Sequence, residues 1–245
     1  MEFTVPRSWD ELTQQQLRTV LLLYAVLADQ PGGMNEVKIS AWANFCHVAI
    51  MKRTDQGWLC HLTDKGSDFI LDPELLPSML SHLEWLEHPE QMTVRVENIG
   101  DFMAKEMYLR DITFGQWLSL ENFYQGYLQT KDEQRLRDMA TILYGMTDSQ
   151  TGKIRPELLL GVFLWFGAAK LYWASIFTHF FKPAGKGSAG TQEDQREMMN
   201  AQIRLLTKGD VTKTEKVFNT PLEPALTELD AQARDAEEMK RKYGK

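Results

Sequence analysis

Leu158-Leu159-Leu160-Gly161-Val162-Phe163-Leu164-Trp165-Phe166-Gly167-Ala168-Ala169-Lys170-Leu171-Tyr172-Trp173-Ala174-Ser175-Ile176-Phe177-Thr178-His179-Phe180-Phe181 is the stretch on which the fold turns. It has the length of a bilayer span, and Arg155, Lys182 and Lys186 stand at its ends where interfacial anchors would. Lys170 argues the other way, because a cation near the middle of a span is costly in lipid. The stretch reads as a central helix buried on most sides by neighbouring helices. Lys170 is then expected to reach a carboxylate or the surface, and a membrane span is the competing reading.

Outward from this helix, neighbours are announced by repeated start signals. Thr13-x-x-Gln16 and Thr113-x-x-Gln116 both have capping-box form, and Ser8-x-x-Glu11, Thr130-x-x-Glu133, Thr212-x-x-Glu215 and Thr220-x-x-Glu223 follow the same pattern. Asp72-Pro73 and Thr220-Pro221 place proline at a first helical position. Helices are expected over about 9–28, 36–46, 73–87, 114–129, 131–145, 156–181 and 221–243, with a weaker one over about 192–206. Tyr24 and Tyr124 extend the echo, so residues 11–28 and 111–128 match at an offset of 100. Two related modules, 9–50 and 109–146, would explain that echo, and so would two unrelated helices that share a cap.

The fold class that follows is mainly α, a multi-helix body with a small inserted β-hairpin and a separable C-terminal helical arm. The hairpin is expected near residues 48–62, where Val48-Ala49-Ile50-Met51 and Trp58-Leu59-Cys60-His61-Leu62 flank the turn-forming Thr54-Asp55-Gln56-Gly57. Phe69-Ile70-Leu71 and Thr93-Val94-Arg95-Val96 are candidates for further short strands. Residues 1–181 form the body in this reading, and 182–194 form a flexible, glycine-rich linker. Residues 195–245 form the arm. Its last helix carries Leu222, Leu226, Leu229, Ala233 and Ala236 at heptad spacing. That stripe is the expected protein interface, whether it docks on its own body or on another chain.

Charge and cysteine content narrow the function classes. Residues 1–150 hold 12 Lys and Arg against 22 Asp and Glu, whereas residues 151–190 hold 5 against 1. Nucleic acid is not expected as a partner, because phosphate contacts need clustered cations. Two cysteines, Cys46 and Cys60, cannot build a disulfide framework, and Met1-Glu2-Phe3-Thr4-Val5-Pro6 lacks the pattern of a signal peptide. A reducing cytosol is the expected compartment.

Few constellations suggest chemistry. Cys46-His47 and Cys60-His61 offer four soft ligands, yet adjacent residues point in different directions, and the spacing of structural zinc sites is missing. No metal is expected. His82 with Glu84 or Glu87 has the composition of an acid–base pair, but it reads better as a solvated helix face, as does His88. Glycine-rich nucleotide loops, the nucleophile elbow and the zinc-protease helix motif are all missing. Gly209 reads as a helix C-cap. No catalytic residue and no cofactor are expected.

Trp9-Asp10-Glu11-Leu12-Thr13, Asp111-Ile112-Thr113-Phe114-Gly115-Gln116-Trp117-Leu118-Ser119-Leu120-Glu121, Met139-Ala140-Thr141-Ile142-Leu143-Tyr144-Gly145 and the pair Phe163-Leu164-Trp165-Phe166-Gly167 with Phe177-Thr178-His179-Phe180-Phe181 together resemble tailed-phage and prophage tail-module proteins of the tail assembly chaperone kind. The resemblance implies a non-enzymatic protein of virion morphogenesis that holds apolar segments of a long tail protein until tube subunits polymerise around it. Its implied partners are other tail proteins or further copies of itself, in the host cytoplasm. A structural component of the particle is the alternative, and a membrane-associated protein using residues 158–181 is a further one.

Overall fold

The computed structural model describes residues 3–181 and 192–243. The expected linker lies outside them except for residues 192–194, which belong to a helix. The chain forms two compact units, one of Met1–Glu97 with Arg155–Leu164, the other of Asn98–Ile154 with Trp165–Lys245. Both are helical, and among the described residues only the first contains more than a two-stranded sheet.

In the first unit, α1 (Gln14–Leu27) opens on a true capping box. The Gln16 N–H donates to the Thr13 hydroxyl, and the Thr13 N–H donates to Gln16 Oε1 at 2.9 Å. Leu17, Val20, Leu21 and Tyr24 are its buried face, the i, i+3, i+4, i+7 pattern of a core helix. The turn into α2 (Gly33–Phe45) requires glycine, since a Cβ on Gly33 would stand 1.8 Å from the Leu27 carbonyl oxygen. Strands β1 (Val48–Thr54), β2 (Gly57–Leu62) and β3 (Ser67–Leu71) follow as an antiparallel sheet in that order, with Ile50 opposite Cys60 and Cys60 opposite Phe69. The expected hairpin is its first two strands, and Phe69-Ile70-Leu71 joins as the third.

Two local expectations fail in this unit. The single helix expected over 73–87 is broken into 3-10 turns at Pro73–Leu75 and Glu84–Glu87 around a short α3 (Leu76–Ser81). Pro73 and Pro77 have no N–H to continue a helical ladder, and Leu83 leaves helical dihedrals (φ −114°, ψ 15°) where it and Leu86 are fully buried. Thr93–Val96 is not a strand. There the Gln14 side chain stands in for a neighbouring strand, donating from Nε2 to the Arg95 carbonyl and accepting from the Glu97 N–H, each at 2.9 Å. The unit is completed by residues 155–164, the opening of the long apolar helix. Gly161 allows close approach there, since a Cβ would come within 2.8 Å of Leu21 Cδ1.

The second unit starts with a small ribbon, β4 (Asn98–Ile99) against β5 (Phe102–Met103). Then come α4 (Phe114–Thr130), opened by the Thr113 capping box, α5 (Glu133–Tyr144) and α6 (Asp148–Thr151). The offset of 100 thus persists through both helices of each pair, α1 with α2 and α4 with α5. The boxes expected at Thr130 and Thr212 are not used. Asp132 and Asp210 cap instead, each accepting from the N–H two residues on, because a carboxylate is the stronger acceptor for a helix-start donor. Ser8 makes no side-chain cap either.

Helix α7 (Pro156–Ile176) carries the apolar run, and it alone among the described residues is long and apolar enough to cross a membrane. Within the second unit its Trp165, Phe166, Ala169 and Trp173 are at most 1% exposed, and the two indoles donate to the carbonyls of Met107 and Tyr108 at 2.6 and 2.7 Å. The remainder is α8 (Gln192–Thr207), α9 (Thr214–Phe218) and α10 (Leu222–Tyr243). α10 is tied to the start of α4 through backbone bonds from Phe114 to Thr220 and from Leu222 to Ile112.

Candidate functional site

A cleft of the second unit lies beside α4 and α8 and encloses about 460 Å³. Its apolar lining combines Trp117 and Leu118 of α4, Phe180 and Phe181 after α7, and Met198, Met199 and Leu205 of α8. Met198 and Leu205 are 62% and 48% exposed, so the apolar lining continues to the surface. Unbranched, polarisable methionines suit a surface that must accept more than one apolar shape.

The aromatic wall is held from behind. Phe180 and Phe181 stack edge to face with centroids 4.8 Å apart, and Phe181 meets Trp117 at 6.4 Å. Asp230 on α10 fixes this turn, its Oδ1 accepting from the N–H groups of His179 and Phe180 at 2.8 and 2.9 Å. His179 Nδ1 also sits 3.1 Å from Glu237 Oε2. α10 therefore positions the cleft without lining it.

One ion pair stands in the floor. Lys170 of α7 reaches Glu121 of α4 at 2.7 Å, Gln125 donates to the same Glu121 oxygen at 2.9 Å, and the Lys170 ammonium lies 4.9 Å from the centre of the Tyr124 ring. Burial, with Glu121 beside it, raises the Tyr124 phenol above its ordinary value. The second Glu121 oxygen is buried with no hydrogen-bond partner among the described residues. No serine, cysteine or histidine is among the described lining residues. The arrangement can hold an apolar surface, with one buried polar atom to satisfy.

The stripe expected as an interface is divided by the structure. Leu222, Leu226 and Leu229 are at most 1% exposed within the second unit, Ala233 is half-buried and Ala236 is exposed. Cys46 caps the end of α2 and Cys60 lies mid-strand in β2; both are buried free thiols, and burial pushes the Cys46 thiol up to about 11. His61 turns to Asp68 at 2.6 Å. No group of three or more His, Cys, Asp or Glu able to hold a metal occurs among the described residues. Glu87 faces Lys38 and His88 faces Glu90, so the structure does not assemble a pair from His82 with Glu84 or Glu87.

Sequence reasoning did not find the cleft. The available signal was Met198-Met199 with Ile203, Leu205 and Leu206 in an otherwise polar helix, an apolar set too exposed to be core. Compared with known families, curated proteins and solved structures, the chain finds no match in any of the three.

Proposed function

We propose that this chain is a non-enzymatic protein of phage or prophage virion morphogenesis, acting in the host cytoplasm as a tail assembly chaperone that holds an apolar segment of a tail protein. The binding half of this reading is carried by the cleft between α4 and α8, whose Met198 and Leu205 leave apolar surface open to solvent. A second cleft of about 590 Å³ lies between the same two helices, shared through Leu118 and Met199. α8 is thus thinly seated on α4, which suits a groove that takes up an amphipathic client helix. The acidic composition of the first 150 residues, 22 acidic against 12 basic, favours solubility of the loaded complex. The morphogenesis half rests on the resemblance of residues 9–13, 111–121, 139–145, 163–167 and 177–181 to tail-module proteins.

The test is co-expression with neighbouring tail proteins and with apolar fragments of the tail's long internal protein. The intact chain is expected to co-purify with the fragment and keep it soluble, and the Met198→Asp/Leu205→Asp variant to lose that effect while keeping its thermal melt. A variant that protects as well as the intact chain overturns the cleft. Recovery of the chain in finished particles at fixed copy number would make it a structural component instead, and recovery only in the membrane pool would overturn both.

A further inference from the structure

The first unit contains a separate, more enclosed cavity of about 300 Å³, at the small end of the range for ligand pockets. Its two side walls are matched helical triads. α2 presents Glu36, Ile39 and Ser40, and α3 presents Leu76, Met79 and Leu80, each at i, i+3, i+4. The sheet closes it with Ile50, Trp58 and Leu71, and Trp42 adds a second indole. Every described lining residue is apolar except Glu36 and Ser40, which lie one turn apart on the same face of α2. Neither side chain has a hydrogen bond or ion-pair partner among the described residues.

We propose that this cavity is a binding site for a small amphipathic amine, an aliphatic or aromatic body seated against Trp42, Trp58 and Leu80 with its ammonium at Glu36 and Ser40. Two observations fix the sign of the head group. Glu36 is the only charged residue among the described lining residues. Residues 1–97 carry 14 Asp and Glu against 7 Lys and Arg, a field that draws cations to the unit. A carboxylate head would meet Glu36 as a like charge, and a purely apolar ligand would leave Glu36 and Ser40 facing it unpaired. The proposal does not depend on the tail-assembly reading, because the cavity lies in the other unit.

The test uses three probes of one chain length, octylamine, octanol and octanoate, with the intact chain. Calorimetry reads affinity, and the indole N–H resonances of Trp42 and Trp58 report the place of binding. Octylamine is expected to saturate and to bind at least tenfold more tightly than octanoate, moving both indole resonances. Glu36→Gln, a surface change that leaves folding intact, is expected to bring octylamine and octanol within about threefold of each other, and Leu80→Trp to abolish binding of all three. The proposal is overturned if octylamine shows no saturable binding, if octanoate binds as tightly, if the amine preference survives Glu36→Gln, or if neither indole resonance moves.

Discussion

The ammonium of Lys170 lies 2.7 Å from the Glu121 carboxylate, with both side chains about one-fifth exposed. The cation in the middle of the most apolar helix therefore has its counter-charge on α4, and that carboxylate depends on it, because its other oxygen has no partner among the described residues. Lys170→Met is expected to destabilise the second unit by about 1–3 kcal/mol, less than the loss on breaking a fully buried pair. Lys170→Met/Glu121→Leu should recover part of the loss. Urea denaturation reads both, and an undiminished midpoint in the single variant would show that the pair contributes nothing.

The stripe on α10 should behave as two different surfaces. Leu226→Ala is expected to cost about 2–5 kcal/mol, the range for a buried leucine, whereas Ala236→Ser should stay within about 0.5 kcal/mol. Cutting the chain after Lys182 removes all three buried leucines with Asp230, so the cooperative transition of the second unit should vanish. A truncated chain that melts like the intact one would show that α10 does not belong to the core.

Gln14 should matter more than an ordinary helix-start residue. Gln14→Ala is expected to cost about 1–2 kcal/mol, since it leaves the Arg95 carbonyl and the Glu97 N–H without their partner. Hydrogen exchange at the Glu97 amide checks it directly. Unchanged protection there would mean that the Gln14 contact does not order the segment.

The thiols should be inert in the folded chain. With Cys46 pushed up to about 11, roughly one thiol in a thousand is ionised at pH 8, and Cys60 is fully buried. A disulfide-exchange reagent should label both slowly in buffer and rapidly in urea. Equal rates in the two solvents would contradict the burial.

Acid should weaken the first unit through Glu87. The hydrogen bond and charge of Lys38 hold this carboxyl below its ordinary value of 4.5. The contribution is therefore complete above pH 4.5 and is lost as pH falls through the lowered folded value. Its size should stay below about 1 kcal/mol, because the Glu87 side chain is 44% exposed and screened. Lys38→Met should flatten this part of the pH–stability curve, and an identical acid slope in the variant would remove Glu87 as its cause.

What was legible in the sequence was local and periodic. Thr13 and Thr113 announced two capping boxes because hydroxyl, spacing and amide all lie within four residues. The sheet was legible from its turn, since Thr54-Asp55-Gln56-Gly57 leaves few alternatives. The broken segment 73–87 was not, because the burial of Leu83 and Leu86 overrides a helical pattern that its prolines only weaken. The cleft was invisible for a related reason. Phe180 and Phe181 read as the tail of an apolar run, and only Asp230, some fifty residues away, turns them into a wall.

The division of α7 between the units bears on the order in which a ribosome can complete them. Every residue of the first unit up to Glu97 emerges early, but its closing piece, with Gly161 against Leu21, is not made until residue 164. At about 5–20 residues per second the interval is roughly 3–13 s. Throughout it α1 lacks the partner that covers Leu21, while the chain for α4 and α5 is already emerging. A nascent chain stalled before Arg155 should therefore be the form most readily cleaved by protease and most readily captured by cellular holdases.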